Sequence, residues 1–139
     1  MLYGDMRRAI VGLPITTSSA LLPDGWQGAY CKRTETILID RRLTYSGKRC
    51  ALVHELIHWQ YGDDSCDPSI RSIQESRTRR ETAMLLIDPA EYAMLERVYE
   101  ANLWYIAQEL NVTMQVLWDY QDLLKSRRPV TAQPERDSD

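Results

Sequence analysis

The sequence predicts an α+β protein: a small sheet, antiparallel or mixed, followed by helices over most of the remaining length. Three observations carry this expectation. The segment "AYCKRTETILID" places two strand-like runs around a tight Arg33-Thr34-Glu35 connection, the pattern of a hairpin. From residue 44 onward, apolar residues recur at helical spacings between glycine and proline stops. With 139 residues, of which 44% are hydrophobic, the chain suits one domain with a modest core.

The elements follow in order. Residues 1–28 hold turn signals in "LPITTSS" and "LLPDGWQG" and no periodicity that assigns an element. Residues 29–32 and 36–40 form the hairpin, with "TILID" as its β-branched return strand. Thr44 or Ser46 is available as N-cap for a helix through Tyr61, which Gly62 ends. After the loop "DDSCDPS", with Pro68 near the next start, a helix over about 69–87 carries Ile70, Ile73, Met84, Leu85 and Leu86. Asp88 as N-cap, Pro89 at N1 and Glu91 at N3 open another helix, with periodicity through Leu95, Val98 and Tyr99. "YIAQELNVTMQVLWDYQDLL" then has helix-turn-helix spacing, with Asn111 where the turn favours a left-handed residue. Lys125, Arg127 and Arg128 close the last helix, and the polar residues 127–139 read as a disordered tail. The expected organisation is a catalytic-type unit over 1–100, a C-terminal helical extension over 101–126, and the tail. Trp104, Trp118, Met84 and Met94 are expected in the core.

A net charge of −3 gives no basic footprint for nucleic acid. The second helix of the helix-turn-helix-like pair offers Gln115, Asp119, Gln121 and Asp122, with no cation before Lys125. DNA affinity rests largely on cations against phosphates, so direct nucleic-acid binding is not expected. Packing on the rest of the protein, or gripping a protein substrate, suits this pair better. The "TRR" run of Arg77–Arg80 reads as a solvated face. No run of 18 apolar residues appears, and three widely spaced cysteines are unlike a disulfide framework. No membrane association and a cytoplasmic location are the expectation.

Both histidines of the chain fall in "RCALVHELIHWQYGDD", four positions apart. On a helix that spacing puts His54 and His58 on one face, while Val53, Leu56 and Ile57 pack against the sheet. Glu55 lies about 100° round the helix from His54, in reach of a water beside the pair. This is H-E-x-x-H, the signature of zincins, in which two histidines bind Zn²⁺ and the glutamate is the general base. It implies a minimal zincin-like metallopeptidase core.

A catalytic zinc takes a third protein ligand, and no histidine is left. Glu75, seventeen residues beyond His58, is the leading candidate. Thr78 and Thr82 share its helical face and are small enough to let that helix approach the metal. Glu81 is second. Asp64 has the spacing of another zincin class, but that class needs a glycine where this chain has Tyr61. Paired with Arg71, Arg77, Arg79 and Arg80, Glu75 and Glu81 would instead form an ordinary charged helix face.

Taken together, "TILID", "RCALVHELIHWQYGD" and "ESRTRRETAMLLIDPAEY" resemble the ImmA/IrrE family of bacterial and phage metallopeptidases, over residues 29 to about 124. The resemblance is strong in the histidine helix and weaker elsewhere. It implies a gluzincin-like site with His54, His58 and Glu75 on zinc and Glu55 as the catalytic glutamate. It also implies a job as an anti-repressor: cleavage of a helix-turn-helix transcriptional repressor of a phage or mobile element. Arg79 departs from the pattern, because many relatives carry Asp or Asn there as a partner for a zinc histidine. That role is expected to fall to Asp40, Asp67 or a backbone carbonyl. By analogy with zincins, the edge of the "TILID" strand would bind substrate as an added strand, and Tyr61 and Tyr45 are candidates for stabilising the oxyanion.

Overall fold

The computed structural model describes residues 1–127 and has six α-helices and a three-stranded sheet. The chain begins with helix α1 (Tyr3–Ala9) and strand β1 (Thr16–Ala20), in the stretch for which the sequence assigns no element. The expected hairpin follows as β2 (Gly28–Cys31) and β3 (Thr36–Asp40), paired antiparallel with Ala29 opposite Leu38. β1 joins the other side of β3 in parallel, with Thr17 opposite Ile37. The order is therefore β1-β3-β2, and "TILID" is the central strand. This corrects the expectation that its edge is free for a substrate: both sides of β3 are already hydrogen-bonded. The exposed edge nearest the histidine helix belongs to β2.

Helix α2 (Tyr45–Tyr61) starts at Thr44, whose side chain accepts a hydrogen bond from Gly47 N, while Ser46 bonds instead to Asn111. One face of α2 covers the sheet: Ala51 and Leu52 form a cluster with Ile37, Ile39 and Tyr3, and Leu56 packs on it. Ile37 and Ile39 are fully buried, each worth about 1.5–3 kcal/mol relative to exposure. Val53 turns the other way, against a helical cluster, so it does not face the sheet as expected.

That second cluster joins Cys50 of α2 to α3 (Pro68–Leu86), α4 (Pro89–Tyr99), α5 (Leu103–Leu110) and α6 (Met114–Ser126). Ala83, Leu95, Ile106 and Leu117 lie at its centre. Residues 101–126 thus share a core with the site-bearing helices. Asp67 and Asp88 cap α3 and α4, and Asn111 adopts the left-handed conformation (φ 57°) between α5 and α6. Buried Arg49 donates to the carbonyls of Met1 and Asn111, both at 2.7 Å, and ties the N-terminus to this turn.

Several residues expected inside are outside. Trp104 and Trp118 are 56% and 47% exposed, and Met84, Met94, Ile70, Ile73 and Leu85 also face solvent. These positions lie on the faces of α3 to α6 that no other element covers. Among the described residues no helix is long and apolar enough to cross a membrane. Arg128 and the tail beyond Arg127 lie outside the described residues.

Candidate metal centre

His54 and His58 project from one face of α2, their ring centroids 4.9 Å apart. At the end of α2, Gly62 takes the left-handed conformation (φ 64°) that favours glycine, and the chain reverses. The loop leads into α3, which returns across α2. Thr78 and Thr82 are buried where α3 runs, as their size suggests, and Glu75 lies one turn before Thr78. Glu75 Oε2 is 2.9 Å from His54 Nε2, and Oε1 is 3.1 Å from His58 Nε2. One donor atom from each of the three residues lies within 4.8 Å of the others.

This group could hold a metal ion. Four ligands at 2.0–2.1 Å from a tetrahedral cation stand about 3.3 Å from one another, and the two histidine–carboxylate spacings are within a few tenths of an ångström of that. Two imidazoles and one carboxylate are a borderline donor set, which suits zinc.

The other candidates stand apart from this group. Glu81 accepts a hydrogen bond from Tyr61 at 2.7 Å. Asp64 lines the neighbouring cleft but does not join the three donors. The arginines of α3 do not neutralise Glu75 or Glu81 as an ordinary helix face would: Arg77 pairs with Asp63, and Arg79 with Asp119.

Asp63 is the partner that sequence reasoning missed. Its Oδ2 lies 2.7 Å from His58 Nδ1. A carboxylate can only accept, so this contact places a proton on Nδ1 and makes Nε2, which here meets Glu75, the nitrogen a metal ion would take. Asp40 and Asp67, the expected partners, are otherwise engaged, by Arg42 and by the start of α3. The available signal was position, since an acidic residue directly after a left-handed helix cap is folded back onto the last turn. Asp63 N–H bonds to His58 O at 3.1 Å, which fixes that return. Arg77 pairs with the same Asp63 oxygen and lies over the Tyr61 ring at 3.7 Å, so it belongs to the site's support and is not a solvated cation.

Glu55 is only 7% exposed. Burial pushes its carboxyl up from the usual value, against the pull of His54 and His58. Hydrogen bonds with His54 and then His58 hold Glu75 well below the carboxylate range. For His58, burial opposes the charged ring, but Glu75 and Asp63 outweigh it and raise its pKa.

A cleft of about 850 Å³ opens over these groups. β2 forms one wall with Gly28, Ala29 and Tyr30, and α6 contributes Gln115, Val116 and Asp119 to another. Neither Tyr61 nor Tyr45 lines it. Tyr30 does, and its hydroxyl is pushed up to about 12 by burial and by Glu35.

The fold and the site together define an α+β protein with a helix-borne, three-donor group able to hold a metal ion. No protein-family model matches the chain, and no curated protein matches its sequence. In fold it is similar to a solved structure described as a Mycobacterium tuberculosis transcriptional regulator, with a TM-score of 0.65 at 12% identity over 89% of this chain. The chain spans 40% of that protein. At such an identity the likeness is one of fold.

Proposed function

We propose that the protein is a zinc-dependent metalloendopeptidase with a zincin-like core of the ImmA/IrrE type. Its substrate is a protein, and the resemblance points to a helix-turn-helix repressor of a phage or mobile element. The observation that carries the reading is the convergence of His54 Nε2, His58 Nε2 and a Glu75 carboxylate beside the buried Glu55. When bound there, Zn²⁺ would supply a Lewis acid that polarises a peptide carbonyl and acidifies water.

The chain's own groups do the rest. His54, His58 and Glu75 bind the ion. Asp63 holds the His58 ring in the ligating tautomer. Glu55 takes a proton from the water that attacks the carbonyl and passes it to the leaving amine nitrogen. Its burial favours this exchange by bringing its proton affinity closer to neutrality. The edge of β2, which lines the cleft, replaces β3 as the strand on which an extended substrate would lie.

Elemental analysis tests the reading. About one zinc per chain is expected, lost in Glu75→Ala and kept in Glu81→Ala and Asp64→Ala. Absence of zinc from the reconstituted wild type would refute it. A second reading, a regulator that keeps this fold and binds a repressor without cutting it, draws on the description of the structural neighbour as a transcriptional regulator. Glu55→Gln separates the two: the peptidase loses repressor inactivation with zinc retained, and the binding protein does not.

A further inference from the structure

Gly28 opens β2 directly against Glu55. A β-carbon placed on Gly28 would stand 3.0 Å from Glu55 Cγ, 3.2 Å from Glu55 Oε2 and 3.2 Å from the carbonyl oxygen of Leu38. Carbon atoms in ordinary contact keep about 3.5–4.0 Å, so something would have to move. The Leu38 carbonyl belongs to the central strand, which is paired on both sides. The backbone of Glu55 belongs to α2, which packs on that strand. What can yield is the Glu55 side chain.

The backbone does not call for glycine here. The positive-φ glycines are Gly25 and Gly62, and Gly28 has ordinary strand conformation. Glycine in a strand weakens it and often marks a close approach by another group. At residue 28 the approaching group is the carboxylate beside His54, His58 and Glu75.

We propose that Gly28 is a positioning residue for Glu55: the missing side chain leaves the seat in which the carboxylate lies against β2, in the wall of the cleft it shares with the three donor residues. The catalytic meaning of that seat rests on the peptidase reading above, but the seat itself does not. Any larger residue at position 28 displaces the carboxylate from the cleft wall while His54, His58 and Glu75 stay in place.

A double-mutant cycle on the full chain tests this with Gly28→Ala, Glu55→Ala and the pair. Gly28→Ala should lower Tm by about 5 °C, and by less than half as much when Glu55 is already alanine. A single variant that fails to fold but is rescued by Glu55→Ala is the extreme form of the same result. Equal losses in both backgrounds would overturn the proposal. The second readout is acetohydroxamate, which chelates zinc and donates a hydrogen bond to an adjacent carboxylate. Its affinity for zinc-loaded Gly28→Ala should fall about tenfold, the loss of one charge-assisted hydrogen bond, with one zinc still bound. Unchanged affinity would overturn the positioning role. If the wild type takes no zinc, the peptidase reading fails and the thermal cycle alone decides for Gly28.

Discussion

Arg79 of α3 holds Asp119 of α6 by two hydrogen bonds, from Nε at 3.1 Å and from Nη2 at 2.9 Å. Arg79 thus fastens the C-terminal helix over the cleft. Asp119 is nearly buried and also accepts from Gln115, whereas the arginine is 42% exposed. Solvent therefore screens the pair, and paired geometry offsets only part of that. Arg79→Ala should cost about 1 kcal/mol in urea unfolding, Asp119→Ala about the same, and the double variant little more than either. Losses that simply add would mean the two residues act separately.

Asp63 is the residue on which metal affinity should depend most outside the three donors. Removing its hydrogen bond leaves His58 Nδ1 with the Thr78 hydroxyl at 3.4 Å, which can donate as well as accept and so does not fix the tautomer. Asp63→Ala should weaken zinc binding about 10- to 100-fold in a chelator competition, with one zinc still bound at saturation. Arg77→Met keeps the His58–Asp63 contact and should change affinity far less. If the two variants weaken binding equally, support comes from the whole ionic cluster and not from the tautomer.

The parts of this molecule that were legible in sequence are those made by neighbours along the chain. The caps at Thr44 and Asp88, the left-handed Asn111 and the i,i+4 histidines are all local, and each signals itself through residue type and spacing. β1 was hidden because "TTSSA" has no apolar alternation and is stabilised by a parallel partner whose paired residues lie 20 positions away. The central place of β3 was visible but misread: three consecutive apolar residues, Ile37 to Ile39, suit a strand covered on both sides better than an edge. Glu75 could be named as a candidate, but only the path of α3 across α2 brings it to the histidines. The site's second layer, Asp63 with Arg77, depends on how the chain turns at Gly62, which residue type alone does not determine.

Asp40, at the end of β3, makes its stability pH-dependent. Its carboxylate accepts from Arg42 Nη2 at 2.8 Å, Nε at 3.1 Å and the backbone N–H at 3.0 Å. The Arg42 side chain, then its backbone N–H, holds this carboxyl below the usual range. A depressed folded-state value means that the contribution is complete above the unfolded value of about 3.9 and fades as pH falls through the lower folded value. Asp40→Asn should therefore melt below the wild type at pH 7, with the gap closing toward pH 2. A gap of constant size would show that the charge on Asp40 is irrelevant to it.

Glu100 is where a substitution should stabilise. It has φ 51° and ψ −119°, and Asn102 N–H bonds to Tyr99 O at 2.9 Å across it. These are the features of a type II′ turn with Glu100 at its first central position, which glycine fills without strain. Glu35 also has positive φ, at 50°, but its carboxylate holds Trp59 Nε1 at 2.8 Å and the Tyr30 hydroxyl at 3.3 Å, so α2 and the hairpin stabilise that conformation. The exposed Glu100 side chain has no comparable anchor to lose. Strain relief of about 1–3 kcal/mol, less about 0.4–1 for the freer unfolded chain, leaves a net gain of about 1 kcal/mol for Glu100→Gly. That corresponds to a Tm rise of about 4 °C. Glu100→Ala keeps the strain and should gain almost nothing, so equal melting of the alanine and glycine variants would rule out backbone strain as the cause.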